Sequence, residues 1–222
     1  MNNFIVDTEH PVIIPSAEIY LEGLLYIPKE SRGLVLFAHG SGSNLHSVRN
    51  QYVADVLHKG KIATLLFNLL TPDEDAIDVT TMEFRFNIPF LASRLVDVTN
   101  WCLKNISVYH LPIGYFGAST GGGAAIVAAA SKLDSVKAIV SRGGRPDLAK
   151  ESLSLIKAPT LLIVGSNDEI VINLNQRAMA QMNCTKKLEL IPGATHLFEE
   201  PGTLAEVAQL AKAWFIKYLV AE

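Results

Sequence analysis

The chain has 222 residues, 49% apolar and 18% charged, with a formal net charge of −3. That length and balance suit one α/β domain spanning residues 1–222, and so mild a charge gives no support to a nucleic-acid or anionic-membrane partner. Cys102 and Cys184 read as reduced thiols rather than a disulfide framework, no leader or membrane span is visible, and a cytoplasmic location is expected.

The first predicted element is "AEIYLEGLLYIP" (Ala17 to Pro28), which alternates like a half-exposed antiparallel strand. Continuous apolar runs follow: "GLVLFAH", "IATLLFN", "PIGYFGA", "VKAIVS", "PTLLIVG" and "KLELIP". Such runs suit strands buried on both faces of a parallel sheet. Between them lie segments of helical period: Val53, Val56 and Leu57; Leu91, Leu95, Val98 and Cys102; and finally Leu204, Val207, Ala211, Trp214 and Tyr218. The alternation predicts a doubly wound, mostly parallel α/β sheet with helices on both faces.

Sites in such sheets form beyond the carboxyl ends of the strands. His39 with "GSGS" follows one strand, Ser119 another, "RGGR" from Arg142 a third, Asn167 and Asp168 a fourth, and His196 the last. Nucleophile, acid and base thus occur in that order, each at a strand end. Ser119 stands in "GASTG", with Gly117 two residues before and Gly121 two after, between a strand and an Ala-rich helix. A strained strand-to-helix turn of this kind lifts a serine hydroxyl clear of the sheet, with the helix N-terminus aimed at the reacting centre. The alternatives are a glycine turn that only packs helix on strand, or a nucleotide loop, for which the required glycine and lysine spacing is missing.

"HGSGS", "GYFGASTGG", "LLIVGSNDEIV" and "IPGATHLFEEPG" together resemble the α/β-hydrolase superfamily, and within it the dienelactone hydrolase-like group. Dienelactone hydrolases proper carry cysteine at the corner where this chain has Ser119, so the resemblance carries the fold and not the substrate. It also implies a functional link to phosphoribosyltransferases, which are fused to such domains in some bacterial chains; 222 residues leave no room for that second domain.

On this resemblance Ser119 is the nucleophile, His196 the base and Asp168 the acid that orients it, with Glu169, and less naturally Glu199 or Glu200, as substitutes for the acid. The competing role for Asp168 is to cap the next helix. Thr120 and Ser41 would supply the oxyanion-hole amides, with Gly42 as fallback for the second. His39 is expected to brace its loop, His46 to touch substrate, and His58 to be solvated. No metal spacing is present and no cofactor is implied. The stretch before "APTLLIVG" is too short for a large lid, whereas Leu69 to Phe86 either folds over the cleft or is a solvated loop. Arg49, Arg85 and Arg142 are candidate forks for an anionic substrate, the alternative being pairs with the acids of that long connection. The expected activity is hydrolysis of a small to medium, soluble carboxylic ester or lactone. A peptidase or acyltransferase of the same chemistry, or a non-catalytic binder, stands as the alternative.

Overall fold

The computed structural model describes residues 4–106 and 110–219. Glu9–Ser16 (β1) and Ile19–Tyr26 (β2) alternate between buried and exposed positions and pair antiparallel, Glu9 opposite Tyr26 and Ser16 opposite Ile19. The sequence reads as a strand only over the run that becomes β2. Pro11 and Pro15 mask β1, and a proline-bearing strand is tolerated because β1 is an edge strand.

The other strands are Leu34–Ala38 (β3), Ala63–Phe67 (β4), Ile113–Ala118 (β5), Val136–Arg142 (β6), Thr160–Gly165 (β7) and Lys186–Ile191 (β8). They complete one eight-stranded sheet in the order β1-β2-β4-β3-β5-β6-β7-β8. β2 pairs antiparallel with β4, and every pair from β4 to β8 is parallel. β3, β4, β5 and β7 are buried along their whole length, which is why they read as unbroken apolar runs.

Among the described residues seven α-helices cover the sheet: Val48–His58 (α1), Pro72–Thr81 (α2), Ile88–Asn105 (α3), Thr120–Ser131 (α4), Ser152–Leu155 (α5), Glu169–Gln181 (α6) and Thr203–Tyr218 (α7). α1 and α7 close one face, where Val53, Leu57, Val207 and Phe215 pack with Phe37, Phe116 and Val140. α3, α4 and α6 close the other, where Leu91, Leu95, Ala125 and Ala178 pack with Leu36 and Tyr115. Each fully buried ring among these contributes roughly 1.5–3 kcal/mol. None of the helices described is long and apolar enough to cross a membrane.

Two expectations are settled by local contacts. The long connection is a helix, not a solvated loop: Thr71 caps the Glu74 amide at 3.2 Å, Glu74 returns a bond to the Thr71 amide at 2.8 Å, and Pro72 opens α2. His58 is not solvated. Its Nε2 bonds Thr64 Oγ1 at 2.7 Å, its ring lies 4.2 Å from that of Tyr26, and burial pushes it down to about 4.

The chain runs from β3 outward to β4 and then crosses to β5 on the other side of β3. The reversal opens a crevice above the carboxyl ends of β3 and β5.

Candidate active site

β5 ends at Ala118 and α4 begins at Thr120, so Ser119 alone makes the corner. Its backbone sits at φ 51°, ψ −122°, a conformation that costs a non-glycine residue about 1–3 kcal/mol and persists only where the surroundings over-determine it. They do so here. The Ser119 N–H donates to the Arg142 carbonyl at 3.2 Å, and the Ser119 carbonyl accepts from the amides of Gly122 at 3.0 Å and Arg145 at 2.9 Å. The glycines two residues either side are steric requirements. A Cβ on Gly117 would lie 2.5 Å from the Gly121 carbonyl oxygen, and one on Gly121 only 2.1 Å from that of Ala38. The Ser119 side chain makes no cap to α4 and is partly exposed.

The loop after β3 approaches Ser119 from one side. A Cβ on Gly40 would come 2.9 Å from that of Ser119, and Ser41 Oγ is 3.3 Å from Thr120 Oγ1. The amide of Thr120, the first residue of α4, has no intrahelical acceptor. His39 holds this loop: Nε2 accepts the Leu69 N–H at 2.9 Å while Nδ1 meets the Gly40 carbonyl at 2.9 Å. Since Nε2 must accept, the proton is on Nδ1 and the ring is neutral. Burial lowers its pKa in the same sense, against the Gly40 bond and the charge of Asp75.

From the other side come the loops after β7 and β8, tied to each other. Asn167 Nδ2 donates to the Gly193 carbonyl at 3.0 Å, the Gly193 amide to Ser166 Oγ at 2.8 Å, and the Asn167 amide to Ala194 at 2.9 Å. This tie brings Asp168 Oδ2 to 2.6 Å from His196 Nδ1. A carboxylate can only accept, so Nδ1 carries a proton, and in the neutral tautomer with this bond Nε2 holds the lone pair. Asp168 is the N-cap residue of α6 yet makes no side-chain cap, so the competing role is not taken. Glu199 and Glu200 are engaged elsewhere, on Arg49 and Thr195. The imidazole rests over β6: a Cβ on Gly143 would lie 3.5 Å from His196 Cε1 and 3.4 Å from Phe198 Cε2.

The remaining candidates separate clearly. Arg85 lines a narrow cleft with His39–Ser43, Leu69, Asp78 and Thr120, but its fork is taken: Nε donates to Asp78 Oδ2 and Nη2 to the Asp78 carbonyl, both at 2.7 Å. Burial of Asp78 opposes its ionisation, yet bonds from the Arg85 and Phe84 amides and the Arg85 guanidinium outweigh it and hold the carboxyl below its usual value. The alternative reading of Arg85, pairing within the long connection, is the one the structure takes. Arg49 donates to Glu199 at 3.3 Å, and the Arg142 guanidinium at the end of β6 has no hydrogen-bond partner among the described residues. His46 is exposed and does not line the cleft. Sequence reasoning missed Asn175, whose buried Nδ2 donates to the Gly144 carbonyl at 3.0 Å and pins the turn beneath His196. A polar residue in the apolar stripe of α6 is the signal that could have found it.

The dienelactone hydrolase family matches residues 21–218. The crystal structure of a dienelactone hydrolase from Anabaena variabilis is 55% identical, with a TM-score of 0.93 over 96% of this chain and 98% of that one. An α/β serine hydrolase without lid from Xanthomonas campestris is 17% identical with a TM-score of 0.77, covering both chains entirely, a likeness of fold alone. Two Mycobacterium tuberculosis chains carrying the name phosphoribosyl transferase are 54% identical over 211 residues, 95% of this chain and 47% of their own length. This chain therefore spans about half the length of the curated relatives it matches. Profile, sequence identity and superposition agree: the chain belongs to the dienelactone hydrolase family, whose fold is that of the α/β hydrolases.

Proposed function

We propose that this chain is a serine hydrolase that cleaves a carboxylic ester or lactone of small to medium size. The observation that carries the reading is the 2.6 Å contact of His196 Nδ1 with Asp168, at the same sheet edge that holds Ser119 in a strained corner. In this reading Ser119 Oγ attacks the carbonyl carbon as Nε2 of His196 takes its proton. Asp168 keeps the imidazole in the required tautomer and stabilises the imidazolium. The Thr120 and Ser41 amides receive the tetrahedral oxyanion, each donor being worth about 100- to 1000-fold in turnover. His196 then protonates the departing alkoxide, the carbon–oxygen bond breaks, and an acyl group remains on Ser119. Water, deprotonated by the same imidazole, attacks the acyl carbon; Ser119 leaves with the proton and the acid is released.

Ser119→Ala is expected to lower kcat on an activated ester by about a million-fold. A fluorophosphonate probe is expected to modify the wild-type chain at Ser119 alone; labelling elsewhere, or full activity of the alanine variant, overturns the reading. The greater length and the name of the two mycobacterial relatives also support a functional link to a phosphoribosyl transferase. Co-elution of the two purified proteins tests that link, and independent elution removes it.

A further inference from the structure

The strained backbone of Ser119 is held in part by the Arg145 amide, which donates to the Ser119 carbonyl at 2.9 Å across the turn after β6. That amide belongs to the peptide unit joining Gly144 to Arg145. The carbonyl of the same unit accepts from Asn175 Nδ2 at 3.0 Å. A trans peptide is a rigid plane whose C=O and N–H point in opposite directions, and no cis bond occurs among the described residues. Whatever holds the Gly144 carbonyl therefore also aims the Arg145 N–H at Ser119.

This plane needs holding. Gly144 has to be glycine, because a Cβ there would lie 1.8 Å from Ser141 Oγ. Glycine, however, leaves the peptide that follows it free to rotate. The Gly143 amide is anchored on the Ile163 carbonyl at 2.7 Å, but that bond lies before the pivot and does not orient the plane beyond it. After the pivot, the Arg145 fork clasps Asp147 at 2.9 and 2.8 Å, a contact within the same short segment.

Asn175 is built to supply the missing restraint. It is fully buried, the middle member of the stripe Val171, Asn175 and Ala178. Nδ2 carries two hydrogens, and they go to two carbonyls: Gly144, and Val171 one turn back along α6 at 2.8 Å. The second bond orients the amide for the first. Asp168 caps the start of α6, seven residues before Asn175 and so about 10 Å away along the helix. One side chain thus ties the helix that carries the acid to the peptide that braces the nucleophile, and His196 rests over the adjoining Gly143.

We propose that Asn175 is a positioning residue for Ser119: by fixing the Gly144–Arg145 peptide it keeps the corner conformation on which the direction of the Ser119 hydroxyl depends. This inference rests on the hydrolase reading above. A misplacement of about 1 Å at a reacting group costs about 100-fold in rate.

The test uses p-nitrophenyl acetate, with the acylation rate constant read from the p-nitrophenol burst and expressed per site titrated by a fluorophosphonate. Asn175→Leu removes both bonds at similar volume. Asn175→Thr keeps a bond to Val171, since a helical threonine bonds the carbonyl four residues back, but is too short for Gly144. Both variants are expected to lose about tenfold or more in the acylation rate constant, with the half-saturating ester concentration within about twofold of wild type. Asn175→Thr should do so with the smaller loss of Tm. A brace for the fold alone would lower Tm and the number of titratable sites but leave the rate per site unchanged; that result overturns the proposal. Should neither variant fold, the wild-type chain decides: phosphonylation of Ser119 is expected to shift the NMR signals of the Asn175 side-chain amide, and unmoved signals overturn the proposal. No burst and no labelling in the wild-type chain overturns the hydrolase reading itself, and the proposal with it.

Discussion

On the α2 side of Ser119, Arg85 gives its backbone amide, Nε and Nη2 to Asp78, whose side chain is 1% exposed. On the β6 side, Arg142 is 8% exposed and its guanidinium has no hydrogen-bond partner among the described residues. The same residue type on the two sides of the corner is thus used in two ways. Arg85 ties the turn after α2 back onto the helix, and its charge is spent within the fold. The Arg142 guanidinium makes no such tie among the described residues, so no hydrogen bond there offsets the cost of its burial. The difference teaches that an arginine at a strand end is informative only once its partners are counted.

The comparison can be broken by measuring stability on both sides. The largest effect is expected for Asp78→Ala, which strands the Arg85 guanidinium and the Phe84 and Arg85 amides; a loss of about 3 kcal/mol or more should appear in urea unfolding. A loss below ~1 kcal/mol would show that the pair is not structural. Arg85→Lys should cost less, about 1–2 kcal/mol, because an ammonium cannot reproduce the fork. Arg142→Met should go the other way and stabilise by ~1 kcal/mol, since it removes a desolvated, unpaired charge; a clear destabilisation would mean that the guanidinium has a structural partner after all.

A smaller effect separates the two sides by pH. The folded pKa of Asp78 lies below its unfolded value. Its contribution is therefore fully present above about pH 4 and is lost as pH falls through the folded pKa. Asp78→Asn should flatten the acid limb of the stability curve relative to wild type, whereas Arg142→Met should leave that limb's slope intact. Parallel acid limbs in wild type and Asp78→Asn would remove Asp78 from the account.

Much of the sheet was legible because four of its parallel strands, β3, β4, β5 and β7, are buried on both faces and so read as apolar runs, while Ser119, Asp168 and His196 fall where apolar runs end. β1 escaped because prolines interrupt its alternation, and α2 because its acidic first turn resembles a solvated loop, although Thr71, Pro72 and Glu74 spell a capping box. The roles of the arginines were not legible. Asp78 lies seven residues from Arg85, within sight of any sequence reading, but Glu199 lies 150 from Arg49, and the lack of a hydrogen-bond partner for the Arg142 guanidinium among the described residues is written nowhere in the chain.

The sequence by itself determined the order of strands and helices, the glycine-flanked corner and the identity of the groups at the strand ends, because apolar periodicity and steric allowance are local properties. Only the tertiary structure decided that Asp168 turns to His196 rather than to its own helix, that Arg85 is spoken for, and that Arg142 is not. Those outcomes depend on which side chains meet across β6, β7 and β8, and a hydrogen-bond partner is fixed by distance in space, not by separation along the chain.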